Sequence, residues 1–235
     1  MTELSMPTRR PFLRVGAALW VIGSLQFLVT HLIVQSAWTT PYRWSANNIS
    51  DLGNVRCGEW GDTPRYVCSP LHGLMNASFI VQGAALVLGI VLLWTCWRST
   101  RSSRTGRVFL ILGSAGYIVA GLVPADMNEN LHVLGAVLLF LLGNLGLLLS
   151  GPSLRTPPGT VRALRFLPVL GVLAGAIGLL GMVLFFRGEF LGLGMGGMER
   201  VAVFPLQVWT LLVGSAVLAS SLAPGPSAST RAGES

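Results

Sequence analysis

Residues 131–150 have the sequence LHVLGAVLLFLLGNLGLLLS, which contains no Asp, Glu, Lys or Arg. A helix needs about 20 mostly apolar residues to cross the hydrocarbon core of a bilayer, so this stretch predicts a transmembrane helix. Five other stretches have the same character, and together they predict an all-α integral membrane protein, a six-span helical bundle over residues 12–223. The predicted spans are approximately residues 12–36, 72–97, 108–124, 131–150, 166–186 and 204–223.

The composition agrees with a membrane protein and disfavours a soluble one. The chain has 235 residues, of which 52% are hydrophobic and only 11% are charged, whereas about 25% of the residues in soluble domains are charged. The longest connection between spans, residues 37–71, is expected to be an extracytoplasmic loop. Residues 1–11 and 224–235 are polar or rich in small residues, and we expect them to be disordered cytoplasmic tails.

The distribution of basic residues predicts an orientation. The chain has 16 basic residues, all arginine, against 9 acidic ones, and the six spans place eleven of the arginines on one side. Because arginine and lysine concentrate in cytoplasmic loops, both termini are predicted to be cytoplasmic. The run from Arg98 to Arg107 is interpreted as a solvated loop at the lipid headgroups, and no nucleic-acid partner is expected. The absence of lysine favours a bacterial origin, hence a multi-pass protein of the bacterial inner membrane.

Two of the three cysteines lie in the predicted extracytoplasmic loop. Cys57 and Cys68 are close in sequence and on the side of the membrane that is oxidising, which predicts a disulfide bond between them. Cys96 lies at the other end of its span and is interpreted as a packing residue.

Polar residues collect at the predicted extracytoplasmic ends of the spans. Polar groups within a membrane are costly unless they face one another or a wet cavity, so their occurrence at one depth predicts a shared polar pocket. Glu199 and Arg200 are expected in the loop that precedes the sixth span. The predicted substrate-binding residues are His31, Asn48, Ser50, His72, Asn76, His132, Arg200 and Gln207.

Several of these residues belong to longer motifs. The motifs are NISDLGN at 48–54, RYVCSPLHGLMNASF at 65–79, NLHVLG at 130–135, GNLG at 143–146 and GGMER at 196–200. They resemble the membrane family called domain of unknown function 998. The resemblance implies a six-span membrane protein whose outer polar residues form the family's signature, and it implies no activity.

The pocket suggests acid–base chemistry on a membrane lipid or isoprenoid. Asp51, Asp126, Glu129 and Glu199 are the candidate catalytic residues, because a buried carboxyl group has a raised pKa and can donate a proton. A membrane-bound isoprenoid cyclase would work in this way without a cofactor.

Two alternatives remain open from the residues. His31, His72 and His132 could bind zinc in a metal-dependent membrane hydrolase, since three histidines leave one position for an activated water. The other alternative is a non-enzymatic protein that binds a lipid or a partner, with the polar residues holding the helices together. The sequence does not determine the oligomeric state or whether the protein is an enzyme.

Overall fold

A computed structural model describes residues 6–61, 64–155 and 165–222. Residues 1–5 and the predicted tail 224–235 lie outside the described part. The structure is almost entirely helical, with one small hairpin. Its helices are α1 (Met6–Ser36), α2 (His72–Leu92), α3 (Arg101–Leu122), α4 (Glu129–Val137), α5 (Asn144–Ser150), α6 (Leu167–Phe186) and α7 (Gly194–Leu222).

Within the described residues, six helical segments are long and apolar enough to cross a membrane, which confirms the predicted six-helix architecture. A π-helical turn, Leu138–Gly143, joins α4 to α5, so that these two helices form one segment. The six segments are Pro11–Ser36, His72–Leu92, Arg101–Leu122, Glu129–Ser153, Leu167–Phe186 and Gly194–Ser221.

Several predicted boundaries were wrong. Helix α1 begins at Met6, so residues 6–11 of the predicted N-terminal tail are helical. Helix α2 ends at Leu92 rather than near residue 97. Helices α3 and α7 begin at Arg101 and Gly194, well before the apolar residues that marked their predicted starts. Polar residues continue both helices because backbone hydrogen bonds do not require apolar side chains.

The helices form a closed ring in chain order, in which each segment runs antiparallel to the next. Gln26 of α1 contacts Ser78 of α2, and Ser24 of α1 contacts Thr210 of α7, so that the last helix returns to the first. We call the end that carries residues 37–71 the loop end. The opposite end, which carries residues 93–100 and 151–155, is called the arginine end.

Aromatic rings fill the interior of the ring of helices. Phe27 packs against Phe79 and Tyr117, with ring centroids 5.4 and 5.5 Å apart. Nearer the arginine end, Trp20 lies 5.8 Å from Trp209. These side chains are almost completely buried, and their packing holds α1, α2, α3 and α7 together.

Buried glycines let α6 approach its neighbours closely. The four glycines Gly171, Gly175, Gly178 and Gly181 lie on the buried side of this helix. An ideal Cβ on Gly175 would lie 2.6 Å from the carbonyl oxygen of Asn144, and one on Gly181 would lie 2.8 Å from Cγ1 of Val201. The glycines therefore set the distances from α6 to α5 and to α7.

The Gly181→Ala variant should unfold more easily than the wild type. The new methyl group would lie 2.9 Å from the backbone nitrogen of Ala202, and overpacking of this kind costs about 1–3 kcal/mol. Thermal unfolding in detergent measures the effect. The control is Gly73→Ala, where a Cβ would meet nothing within 4 Å, so no loss is expected there. Equal melting temperatures for the two variants would contradict this account of α6.

The connection between α1 and α2 is a structured plug. It contains the 3-10 turn Ser50–Gly53 and an antiparallel hairpin of β1 (Gly58–Trp60) and β2 (Arg65–Val67). The predicted disulfide Cys57–Cys68 is confirmed and joins the two ends of the hairpin. Ile49 and Leu52 are buried in the hydrophobic core, so part of this connection packs into the loop end of the ring.

Candidate functional site

Asp51 is the centre of the polar interactions within the plug. Its side chain is 1% exposed and forms a two-fold ion pair with Arg65, with Oδ1–Nη2 and Oδ2–Nε distances of 2.6 and 2.8 Å. Oδ2 also accepts hydrogen bonds from the backbone nitrogen of Asn48 at 3.0 Å and from Nδ2 of Asn47 at 3.4 Å. Both carboxylate oxygens are therefore engaged, which fixes the fold of residues 47–51.

Glu199 attaches the plug to α7. It was predicted in a loop, but it lies in the second turn of α7 and is 6% exposed. Its carboxylate accepts a hydrogen bond from the backbone nitrogen of Ile49, immediately before the 3-10 turn. A carboxylate at this position satisfies a backbone donor that the turn itself cannot satisfy.

Arg200, the next residue, makes a second set of contacts with the plug. It too lies in α7 rather than in the predicted loop. Its Nη1 donates to the carbonyl oxygens of Trp44 and Asn47, both at 3.0 Å, and to that of Gly196 at 2.6 Å. The guanidinium carbon lies 4.7 Å from the ring centre of Trp44. The cation is thus held by carbonyl groups and an aromatic face, and its Nε has no hydrogen-bond partner.

Tyr42 and His31 complete the surroundings of Arg200. Nη2 of Arg200 donates to the Tyr42 hydroxyl at 2.6 Å and to Nε2 of His31 at 3.3 Å. Burial raises the pKa of the Tyr42 phenol above its usual range, so the hydroxyl stays neutral and donates to the carbonyl oxygen of Asn48 at 2.9 Å. Because arginine only donates, Nε2 of His31 acts as an acceptor and the ring proton lies on Nδ1.

The remaining predicted carboxyl groups lie apart from this cluster. Asp126 lies in the turn between α3 and α4, where its Oδ2 accepts a hydrogen bond from the backbone nitrogen of Arg56 at 2.7 Å. Glu129 is exposed in the first turn of α4. Of the four candidate catalytic residues, only Asp51 and Glu199 therefore adjoin the same segment of the plug.

The three histidines have separate partners. Nδ1 of His72 lies 3.0 Å from the carbonyl oxygen of Ser69, and Nδ1 of His132 lies 2.8 Å from that of Val123. Within residues 6–61, 64–155 and 165–222, no three His, Cys, Asp or Glu side chains form a group that could hold a metal ion. His31 also directs Nε2 at an arginine, which disfavours a cation at that nitrogen.

The predicted substrate-binding residues are only partly brought together. His31, Asn48 and Arg200 belong to the cluster described above, and half-buried Ser50 begins the 3-10 turn. Asn76 lies behind the turn and donates from Nδ2 to the carbonyl oxygen of Gly53 at 2.9 Å.

The chain matches, over residues 21–216, the family model described as "Protein of unknown function (DUF998)". The chain belongs to this family. The assignment confirms the resemblance of its motifs, and most of the residues of the NISDLGN and GGMER motifs lie at the junction of the plug with α7. Searches of the curated proteins and of the solved structures each found no match. The function of this DUF998 protein must therefore be argued from its own geometry.

A second group of polar side chains, joined in a chain of hydrogen bonds, lies deeper in the DUF998 bundle. The sequence analysis did not predict this group. Gln207, predicted at the pocket, instead accepts from Nε2 of Gln82 at 2.7 Å and donates to the Tyr117 hydroxyl at 2.7 Å. All three side chains are buried, so this chain links α2, α3 and α7 inside the ring. The isolated glutamine in the apolar second span was the signal that could have revealed it.

The DUF998 protein has an apolar groove between α6 and α7. Its volume is about 520 Å³, and Arg200 lies at its loop end. The groove faces outward from the ring, because Leu173, Ile177 and Val208 in its wall are exposed. The other apolar side chains that line it include Ala174, Phe204 and Leu212.

Proposed function

We propose that this DUF998 protein is a multi-pass membrane protein that binds the apolar chain of a lipid or isoprenoid in the α6–α7 groove. The polar head of this molecule would lie at the loop end of the groove. The single observation that carries the proposal is an outward-facing apolar groove that ends at a buried arginine. In this proposal Glu199 and Arg200 hold the plug against α7 and do not bind the substrate's reactive group.

The distribution of charge supports an orientation with the arginine end in the cytoplasm. Arg98, Arg101, Arg104 and Arg155 all lie at or beside that end of the described helices. Under the positive-inside rule, the loop end would then be extracytoplasmic, where a disulfide is stable. The groove would open to the outer half of a cell membrane, the bacterial inner membrane if the absence of lysine reflects a bacterial origin.

The length of the groove suits a long apolar chain. From Arg200 to Leu212 it follows α7 for twelve residues, or about 18 Å at the rise of an α-helix. The hydrocarbon core of a bilayer is about 30 Å thick, so the groove would extend from the headgroup region past the middle of the membrane. Arg200 borders the loop end of the groove, and its guanidinium group is directed at the plug.

In the acid–base alternative, Glu199 remains the candidate catalytic residue. Glu199 is buried, and the structure describes only one ion pair, between Arg65 and Asp51, so its carboxyl group has no salt-bridge partner among the described residues. Catalysis would require the bound lipid to reach Glu199 past Arg200. The contacts of Asp51 with Arg65 and the separate partners of the histidines favour binding over acid–base or zinc chemistry.

The test is the retention of lipid by groove variants. The Ala174→Trp variant should fill the groove, whereas Leu180→Trp places the same side chain on an exposed part of α6 outside it. Native mass spectrometry of protein purified with a total membrane lipid extract should show a bound lipid in the wild type and in Leu180→Trp, and a loss of at least ten-fold in Ala174→Trp. Equal retention by all three proteins, or no retained lipid, would overturn the proposal.

A further inference from the structure

Arg107 is a buried arginine at the opposite end of the protein. The sequence placed it in a solvated loop, but it lies in α3 and is 1% exposed. It donates to the carbonyl oxygen of Ser103 at 3.2 Å and to that of Trp94 at 2.5 Å. Its guanidinium carbon lies 3.8 Å from the ring centre of Trp94. These contacts hold the group in place and leave Nη2 without a hydrogen-bond partner within the described part of the chain.

A second unpartnered polar group lies one turn earlier in the same helix. The side chain of Ser103 is completely buried, and its Oγ has no hydrogen-bond partner. The backbone of Ser103 is held by the Thr100 hydroxyl, which caps α3 at 3.1 Å. Helical side chains lean towards the N-terminus, so Arg107 reaches back to the turn that contains Ser103. Two buried groups without partners therefore lie beside the positive end of one helix dipole.

Among the residues that the structure describes, Arg107 has no counter-ion. The other charged residues described near this end are also arginines, namely Arg14, Arg98, Arg101, Arg104, Arg155 and Arg165. Every acidic residue within the described ranges lies at the loop end, and none of them forms an ion pair with Arg107. A buried cation is costly unless it is paired. An anion from outside the chain would supply the missing charge.

We propose that the arginine end of α3 binds a phosphate group, with Arg107 and Ser103 as its contacts. Guanidinium groups bind phosphate oxygens through strong charge-assisted hydrogen bonds, and a serine hydroxyl can donate one more. The N-terminal end of α3 adds the positive end of its helix dipole. The phosphate belongs to an anionic phospholipid headgroup or is inorganic phosphate, and the experiment separates these sources. This site is at the other end of the bundle from the groove and does not depend on lipid in the groove.

The experiment compares binding of phosphatidylglycerol by the full-length protein in phosphatidylcholine nanodiscs. Arg107→Gln should weaken binding at least ten-fold, because it removes a charge-assisted hydrogen bond. Ser103→Ala keeps the charge, is expected to fold, and should weaken binding about three-fold or more. Arg101→Gln, at an exposed arginine, should remain within about two-fold of the wild type.

A competition with inorganic phosphate identifies the source. If millimolar phosphate displaces phosphatidylglycerol from the wild type, the site takes phosphate as a free ion as well as a headgroup. If it does not, the site requires the lipid. In either case Arg107→Gln and Ser103→Ala must bind the ligand more weakly than Arg101→Gln does. Equal binding by the wild type and these two variants in both arms would overturn the proposal.

Discussion

The Arg65→Met variant should lose about 3–5 kcal/mol of unfolding free energy, because breaking a buried ion pair leaves an uncompensated charge. Asp51 would keep its buried carboxylate but would lose both contacts with the guanidinium group. Its remaining hydrogen bonds from Asn47 and Asn48 cannot replace a positive charge. The variant should therefore melt at a clearly lower temperature in detergent, and the plug should be the first part to open.

A control variant at a second arginine and a double variant test whether the loss comes from the ion pair. Arg56 is exposed in the same connection, so Arg56→Met should change the unfolding free energy by less than about 1 kcal/mol. The double variant Asp51→Asn and Arg65→Met removes both charges and should recover part of the loss, since no buried ion remains unpaired. If the double variant is as unstable as the sum of the two single variants, Asp51 and Arg65 do not interact as the structure indicates.

The six spans could be predicted because each contains an apolar run of membrane length, as in residues 131–150. The polar residues that extend α3 and α7 beyond these apolar runs could not be predicted in this way. Arg107 and Glu199 interrupt the hydropathy pattern, yet they lie inside α3 and α7 because distant groups satisfy them. Trp94 supplies a carbonyl group and an aromatic face to Arg107, and Ile49 supplies a backbone donor to Glu199. Partners of this kind are set by tertiary structure, which a hydropathy pattern does not contain.

The polar cluster was only partly predicted, again because its contacts are set by tertiary structure. Depth in the membrane indicated that His31, Asp51 and Arg200 lie at one level, and the structure places them around the same plug. Depth does not specify position around the ring of helices, and Asp126 and His132 have hydrogen-bond partners other than those of Arg200. The role of the plug was also missed. Ile49 and Leu52 lie on either side of Ser50 and Asp51 in the sequence, but their burial depends on the path of the connection between α1 and α2.

The position of Arg200 connects the plug to the groove. Its Nη atoms hold residues 42–47, whereas the same residue lines the loop end of the groove between α6 and α7. A molecule in the groove would contact the same side chain that holds the plug. Glu199, the preceding residue of α7, accepts a hydrogen bond from Ile49 and so holds the 3-10 turn Ser50–Gly53. The plug is therefore attached to α7 through two adjacent residues, Glu199 and Arg200. Arg200 makes more of the hydrogen bonds to the plug.

The Arg200→Met variant should release residues 42–47 from α7 and destabilise the protein by about 3 kcal/mol or more, since hydrogen bonds to charged groups contribute about 1.5–3 kcal/mol each. The carbonyl oxygens of Trp44 and Asn47 would remain buried without their donor. Hydrogen exchange of the backbone amides of residues 42–53 should accelerate strongly, while exchange in α2 and α3 should change little. Tyr42→Phe removes one hydroxyl group from the same network and should produce a smaller effect, about 1–2 kcal/mol.

The control for Arg200 is Arg43, an exposed arginine on the plug itself. Arg43→Met removes the same charge from the same region without removing a buried donor, so exchange of residues 42–53 should remain at the wild-type rate. A uniform acceleration across all helices in Arg200→Met would indicate that the residue supports the whole bundle rather than the plug. Unchanged exchange in residues 42–53 would contradict the role of Arg200 altogether. Local acceleration in Arg200→Met alone is the expected result, because its donors are directed at the carbonyl groups of the plug.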